Sequence, residues 1–218
     1  YATSSTGTAL NAVYEAAIGR AVVPALNVVP DYYDNPQFLD TVSSMVQADK
    51  DAFKADHVLF SYHGLPERHV RQCDPSGSHC LTSDTCCDTI QVANRSCYRA
   101  QCFATTRGLV ERLDLSPTEW TIGFQSRLGR TPWIKPYTDE ILPELVARGV
   151  RRLVVSCPSF VSDCLETLEE IGIRAKEDFI AAGGEDLHLV ASVNAHPLWV
   201  DGVASLVLAS EHNTTNQT

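Results

Sequence analysis

HVLFSYH, residues 57–63, runs straight into GLPERHV, residues 64–70, and this stretch decides the fold. The first half is almost continuously apolar or aromatic, and Gly64 with Pro66 closes it. A strand buried on both faces of a parallel sheet has this pattern, so a strand is expected over His57–Tyr62. Working outward, TIGFQ (Thr121–Gln125) and RLVVSC (Arg152–Cys157) repeat it, and Val22–Val29 and His188–Val193 are two further runs of strand length. Between them lie helical patterns at Thr8–Arg20, Pro36–Phe53, Cys97–Leu113, Thr138–Arg148, Asp163–Ala182 and Pro197–Ala209. Asn35-Pro36 suits a helix start, Asp163 with Glu166 three residues on suits a capping box, and Gly183-Gly184 suits a stop. Alternating strands and helices predict an α/β fold with a doubly wound parallel sheet. One connection, Glu67–Ser96, shows neither period, and the polar tail Glu211–Thr218 is expected to fray.

Composition narrows the function. The chain has 218 residues and a net charge of −10, a poor surface for nucleic acid or for anionic lipid. No apolar run is long enough for a transmembrane helix. The chain starts at Tyr1 with no initiator Met and no signal-peptide pattern, as the continuation of a longer protein would. Six of its eight cysteines fall between Cys73 and Cys102. A disulfide-stapled secreted domain is short and loop-rich; crowded cysteines in an α/β chain of this size point to metal.

Ligands of open α/β sheets bind at the carboxyl ends of the strands. His63 stands at one such end. Beyond another, the stretch PSFVSDCLETLEEI carries Asp163, Glu166 and Glu170 at spacings of three and four, which one helical face would share. An imidazole opposite carboxylates can take a proton near neutral pH and can hold or relay a divalent cation. Each feature alone is commonplace as a turn histidine or as first-turn acids.

Five segments in order, YATSSTGTALNAVYEA, LFSYHGLPERHV, FQSRLGRTPWIKPYTDE, PSFVSDCLETLEEI and VNAHPLW, resemble the ferrochelatases from Tyr1 to about Ala209. The resemblance implies the second Rossmann-like chelatase domain over residues 1–195. It also implies a C-terminal helix over 196–210 that packs on a missing N-terminal domain. The implied activity is insertion of ferrous iron into protoporphyrin IX, or coproporphyrin, in haem biosynthesis. By match of SYHGLP, His63 is similar to the family's active-site histidine; by match of SDCLETLEE, Glu166 is similar to the carboxylate opposite it. Asp163 and Glu170 continue the implied metal path. Trp133 in RTPW, Gln125 and Ser126 in QSR, and Tyr98 in RSCYRAQC fall where the family lines its porphyrin pocket. A cytoplasmic enzyme, in peripheral contact with the inner membrane through the missing part, is the expected setting.

The stretch CDPSGSHCLTSDTCCD, inside residues 67–96, is similar to the internal cysteine segment by which some bacterial ferrochelatases hold a [2Fe–2S] cluster. Cys73, Cys80, Cys86 and Cys87 are the expected ligands; replacement of Cys86 or Cys87 by Cys97 or Cys102 is the alternative, since adjacent cysteines are awkward as two ligands. A Cys₄ zinc site and no metal at all are the competing readings, although paired CxxC spacing is absent. Two other functions compete: a class II chelatase for cobalt or nickel, and a non-catalytic cluster- or porphyrin-binding module.

Overall fold

β1 (His57–His63) forms the expected central strand, and the rest of the computed structural model is arranged around it. Residues 1–22, 24–29 and 31–215 are described here, with side chains as far as Ser210. In chain order the elements are a π-helical turn at Thr3–Gly7, α1 (Thr8–Ala17), α2 (Pro36–Phe53), β1, α3 (Glu67–Gln72) and α4 (Tyr98–Arg112). They continue with β2 (Trp120–Gln125), α5 (Thr138–Ala147), β3 (Arg152–Ser156), α6 (Leu165–Leu168), a π-helical segment Glu170–Ala175, α7 (Lys176–Ala181), β4 (Asp186–Leu189) and α8 (Pro197–Thr215). The four strands pair in parallel in the order β2-β1-β3-β4.

Alternate residues of a strand face opposite sides of the sheet, and here both sides are covered. Val58, Phe60 and Tyr62 pack with Phe38, Leu39, Val42 and Val46 of α2 and Leu109 of α4. Leu59 joins Leu153 and Val155 of β3, Ile141, Leu142 and Leu145 of α5, and Ile171 and Phe179 on the opposite face. This is the doubly wound arrangement. It brings the carboxyl ends of β1, β2 and β3 to one edge, with His63 level with Gln125 and Phe60 level with Ser156.

Several elements differ from expectation. Residues 24–29 form no strand; Pro24 has no N–H to give a ladder, and Val22 is 82% exposed. Val23, within the same expected strand, lies outside the described residues. β4 starts two residues early and stops at Leu189, because β3 ends at Ser156 and the last ladder bond runs from Val190 N to Val155 O (2.9 Å). The expected structureless stretch opens with α3, a single amphipathic turn and a half with Val70 buried and an Arg71–Glu67 pair at 3.3 Å. The Asp163–Ala182 helix is three pieces, α6, the π-helical segment and α7. The tail is helical as far as Thr215.

The remainder of the cysteine-rich stretch is held by side chains rather than by regular structure. The Asp74 carboxylate accepts from Ser76 N and Oγ (2.9 and 2.7 Å), His79 N (2.7 Å) and Cys80 N (2.9 Å), which keeps it well below the usual carboxylate range. Fully buried Asn94 donates to the carbonyls of Cys86 and Thr89, both at 2.9 Å. α8 lays Trp199 on Phe38 and Tyr32, at ring separations of 5.2 and 5.3 Å. Its Leu198, Val203 and Val207 are exposed. Among the described residues no helix is long and apolar enough to cross a membrane.

His57, at the opposite end of β1 from the strand-end edge, is buried, with Nε2 2.8 Å from Thr121 Oγ1. Burial, helped by the Arg148 charge, lowers its pKa from 6.5 to about 4. The unfolded chain therefore takes up this proton first as pH falls, and stability is lost between about pH 6.5 and 4. After allowance for solvent screening the loss is about 2 kcal/mol. Thermal unfolding of the full-length protein is expected to show this acid sensitivity, and His57→Gln is expected to flatten it. An unchanged pH slope in that variant would remove the assignment.

Candidate active site at the strand ends

His63 ends β1, and the chain turns at once through Gly64. Gly64 N donates to Gln125 O at 2.8 Å. A β-carbon there would stand 2.8 Å from that oxygen and 3.2 Å from Trp133 Cε3, so the indole can close over the turn only because residue 64 has no side chain. Trp133 is fixed by Nε1 donating to Leu128 O (2.9 Å), by its bridge to Pro66, and by Tyr137 Oη on its carbonyl (3.1 Å). The His63 ring lies between Trp133 and Phe160, at 6.4 and 6.1 Å between centroids. Its backbone N–H donates to Ser159 Oγ (3.2 Å), and Nδ1 is 2.5 Å from Gly64 O. A carbonyl only accepts, so Nδ1 carries the proton and Nε2 is the basic nitrogen of the neutral ring.

The acids are arranged differently from a single helical face. Cys164, not Asp163, caps α6: its side chain accepts from Thr167 N, while its own N–H donates to Thr167 Oγ1 (3.0 Å). Asp163 lies outside the helix, receiving Ser192 N (3.0 Å), Asn194 Nδ2 (2.7 Å) and Thr167 Oγ1 (3.4 Å). Burial opposes its charge, but these bonds prevail and its pKa lies below the ordinary value. Glu166 is likewise held below the usual range, first by the Cys164 thiol, then by its own N–H, with the facing His63 adding to the effect. Glu170 takes Ser126 N at 2.7 Å and Ser126 Oγ at 2.5 Å. Ser126 turns both donors toward that carboxylate from a left-handed backbone, φ 64°. Gln125, 3% exposed, donates to Glu166 O (2.6 Å) and reaches Glu170 at 3.4 Å. Gln125 and Ser126 thus bracket the acids.

Tyr98 opens α4 and bonds Ser159, the residue that also receives His63 N–H; burial raises its pKa well above 10. Tyr62, Tyr98, Pro158 and Ser159 line one side of a cavity of about 530 Å³ that extends to Tyr32 and the Thr3–Gly7 turn. An imidazole base, a facing carboxylate and an aromatic wall therefore share one edge, beside a cavity of the size that takes a small ligand.

The sequence profile of the ferrochelatases matches residues 1–211. The chain belongs to the ferrochelatase family. Ferrochelatase of Legionella pneumophila (strain Lens) is 45% identical over 208 residues, 95% of this chain and 61% of that protein. Ferrochelatase of Azotobacter vinelandii is 50% identical over 184 residues, covering 83% and 54%. Ferrochelatase of Coxiella burnetii (strain CbuG_Q212) is 42% identical over 210 residues, covering 96% and 58%. The chain thus spans about three fifths of the length of the ferrochelatases that match most of it.

All eight cysteines of this ferrochelatase-family chain are free thiols. Cys80, Cys86, Cys87 and Cys97 are buried together: Cys86 and Cys87 sulfurs are 3.7 Å apart, and Cys97 hydrogen-bonds with both Cys80 and Cys87. Cys73 stands apart, half-buried, with its sulfur 3.0 Å from Thr3 Oγ1 and 3.3 Å from His69 O. Cys102 is buried against Tyr98, and Cys157 packs behind β3. Among the described residues, no three His, Cys, Asp or Glu side chains form a group that could hold a metal ion. Sequence reasoning missed Ser159, Phe160 and the capping role of Cys164. The first two sit in PSF, directly after β3, where strand-end residues of an α/β site belong.

Proposed function

We propose that the protein is a ferrochelatase, inserting ferrous iron into protoporphyrin IX or coproporphyrin in haem biosynthesis. The observation that carries this is His63 at the end of β1, with Nδ1 2.5 Å from Gly64 O and its ring between Trp133 and Phe160, on the edge where the turn bearing Glu166 is tied to β2 by Gln125. A porphyrin surrenders two pyrrole protons as the metal enters. Nε2 of His63 takes one proton, the Glu166 carboxylate stabilises the imidazolium that results, and release of that proton to solvent frees Nε2 to take the second. Asp163, Glu166 and Glu170 offer hard oxygen donors to a ferrous ion shedding its water. Trp133 packs on the macrocycle, and Tyr98 lines the pocket beside it. Gln125 and Ser126 act on the pocket by holding Glu166 and Glu170. The exposed apolar side chains of α8 meet the portion of the relatives outside the match, and any peripheral membrane contact belongs to that portion. Free thiols suit a cytoplasmic setting.

The cysteine-rich stretch is proposed to hold a [2Fe–2S] cluster. Cys80, Cys86, Cys87 and Cys97 are buried free thiols of the right chemistry, with Arg99 beside Cys87. Among the described residues, however, no three of them are arranged to hold a metal ion, so the resemblance alone supports the cluster. A cluster bound there supplies one-electron chemistry, and no step above depends on it.

Full-length protein, mixed without oxygen with ferrous iron and each porphyrin, is expected to yield the metallated product. Failure with both porphyrins would remove the reading, and insertion of cobalt or nickel but not iron would transfer it to another chelatase. The purified protein is expected to absorb in the visible and to contain iron and sulfide in equal amounts. A colourless protein with one zinc would overturn the cluster.

A further inference from the structure

Ser159 fills a place that the sheet leaves open. Phe60 of β1 is level with Ser156, the last residue of β3, and Pro158 has no N–H with which to carry the ladder further. His63 lies three residues beyond that last pair, so its N–H meets no rung of β3 and donates instead to Ser159 Oγ, at 3.2 Å. On the β2 side the next residue is fixed by Gly64 N on Gln125 O (2.8 Å). The turn that presents Ser159 is closed by Phe160 N on Cys157 O (3.0 Å), and it sets the Phe160 ring 6.1 Å from the imidazole. A hydroxyl that accepts one bond still has a proton to give. Ser159 bonds to Tyr98, and Tyr98 bonds in turn to Cys102, one turn along α4. A chain of neutral groups thus runs from the main chain of His63 to the start of α4, along the wall of the cavity.

We propose that Ser159 is a positioning residue for the His63 base, holding the main chain at the end of β1 so that the direction of Nε2 is fixed. The imidazole is tied to its own backbone through Nδ1 and Gly64 O, so the ring follows wherever that backbone moves. Ser159 is exposed, and water can take its place on the His63 N–H once the hydroxyl is gone. Water satisfies the donor but ties it to nothing. Ser159 ties it to the 157–160 turn and, through Tyr98, to α4. Loss of the hydroxyl therefore costs little stability and leaves the base loosely aimed, a fault that falls on the rate of proton transfer. Ser159 acts through His63 and needs no contact with porphyrin or iron. The inference rests on the reading of His63 as the base of ferrous insertion.

Steady-state metallation of porphyrin by the full-length protein tests it. Ser159→Ala is expected to lower kcat about tenfold, with KM for porphyrin within about twofold and a melting temperature within about 2 °C of wild type. Ser159→Thr, which keeps a hydroxyl, is expected to restore most of the rate. In a His63→Ala background, Ser159→Ala is expected to change the residual rate by less than about twofold, because the group it positions is gone. An unchanged kcat in Ser159→Ala would overturn the proposal, as would a tenfold loss that persists in the His63→Ala background. A second readout needs no activity: nuclear magnetic resonance of protein carrying isotope-labelled histidine, with the His63 signals assigned by their absence from His63→Ala. Ser159→Ala is expected to shift the His63 amide and broaden its ring signals, and Ser159→Thr to return both. Should the wild type metallate neither porphyrin, the ferrochelatase reading fails separately. The ring signals then decide the role of Ser159, and signals in Ser159→Ala that match wild type overturn it.

Discussion

Glu166→Gln is expected to lower the rate of ferrous insertion about a thousandfold while the fold survives. The amide keeps the size of the side chain, and the bond that anchors this turn, Gln125 Nε2 to Glu166 O at 2.6 Å, uses the backbone and is untouched. What is lost is the charge facing His63. His63→Ala removes the other half of the pair and is expected to cost a similar factor. The two groups act as a unit, so the double variant is expected to be little worse than either single one. Because the Cys164 thiol and the residue's own N–H hold Glu166 below the usual carboxylate range, it stays ionised through neutral pH. Protonation of Glu166 therefore takes activity away only in more acidic solution than an ordinary glutamate would require. Initial rates of porphyrin metallation measure all of this. A Glu166→Gln enzyme within tenfold of wild type would sink the assignment.

Gln125→Leu is expected to damage stability more than any other substitution at this edge. The side chain is buried, with Oε1 accepting from Ser61 Oγ (2.8 Å) and Cys157 Sγ (3.5 Å) and Nε2 serving Glu166 O and Glu170. Leucine fills nearly the same volume and answers none of these groups. Ser61 can turn to Thr138 Oγ1, already 2.8 Å away, but the Glu166 carbonyl loses its donor. A buried polar atom left unpaired costs 1–3 kcal/mol, so the total is about 3 kcal/mol. The melting temperature is then expected to fall by roughly 6–12 °C, with a loss of activity as the Glu166 turn loosens. A melting curve within 2 °C of wild type would show that this hydrogen-bond bracket contributes little.

The legibility of the chain followed its local physics. β1, β2 and β3 lie within a residue or two of their apolar runs, because a strand buried on both faces must be apolar at successive positions. Residues 24–29 belong to a similarly apolar run yet form no strand, and hydrophobicity alone does not reveal whether a ladder partner exists. The position of His63 at the end of β1 was legible because its apolar run stops there at Gly64. Asp163 looked like a helix cap because an acid three residues before another has that signature; the real cap, Cys164, is a residue type with little capping preference. Cys73 and Cys97 are separated by the same difficulty. Which thiols converge depends on how Asp74 and Asn94 fold the loop, and spacing along the chain carries no record of that.

The wide turn between α6 and α7 has a geometric consequence. Thr167, Ile171, Ala175 and Phe179 are all buried, and each follows the last by four residues. In an unbroken α-helix a four-residue spacing drifts by about 40° at every step, enough to swing Phe179 off the sheet by the third. The i→i+5 bonding of Glu170–Ala175 absorbs one extra residue and takes that drift back. Glu170 can therefore face Ser126 while the residue beside it, Ile171, points into the core. Deleting one residue between Glu169 and Lys176 would restore a regular helix and rotate everything beyond the deletion by about 100°, so that the buried stripe and the acid could no longer both find their partners.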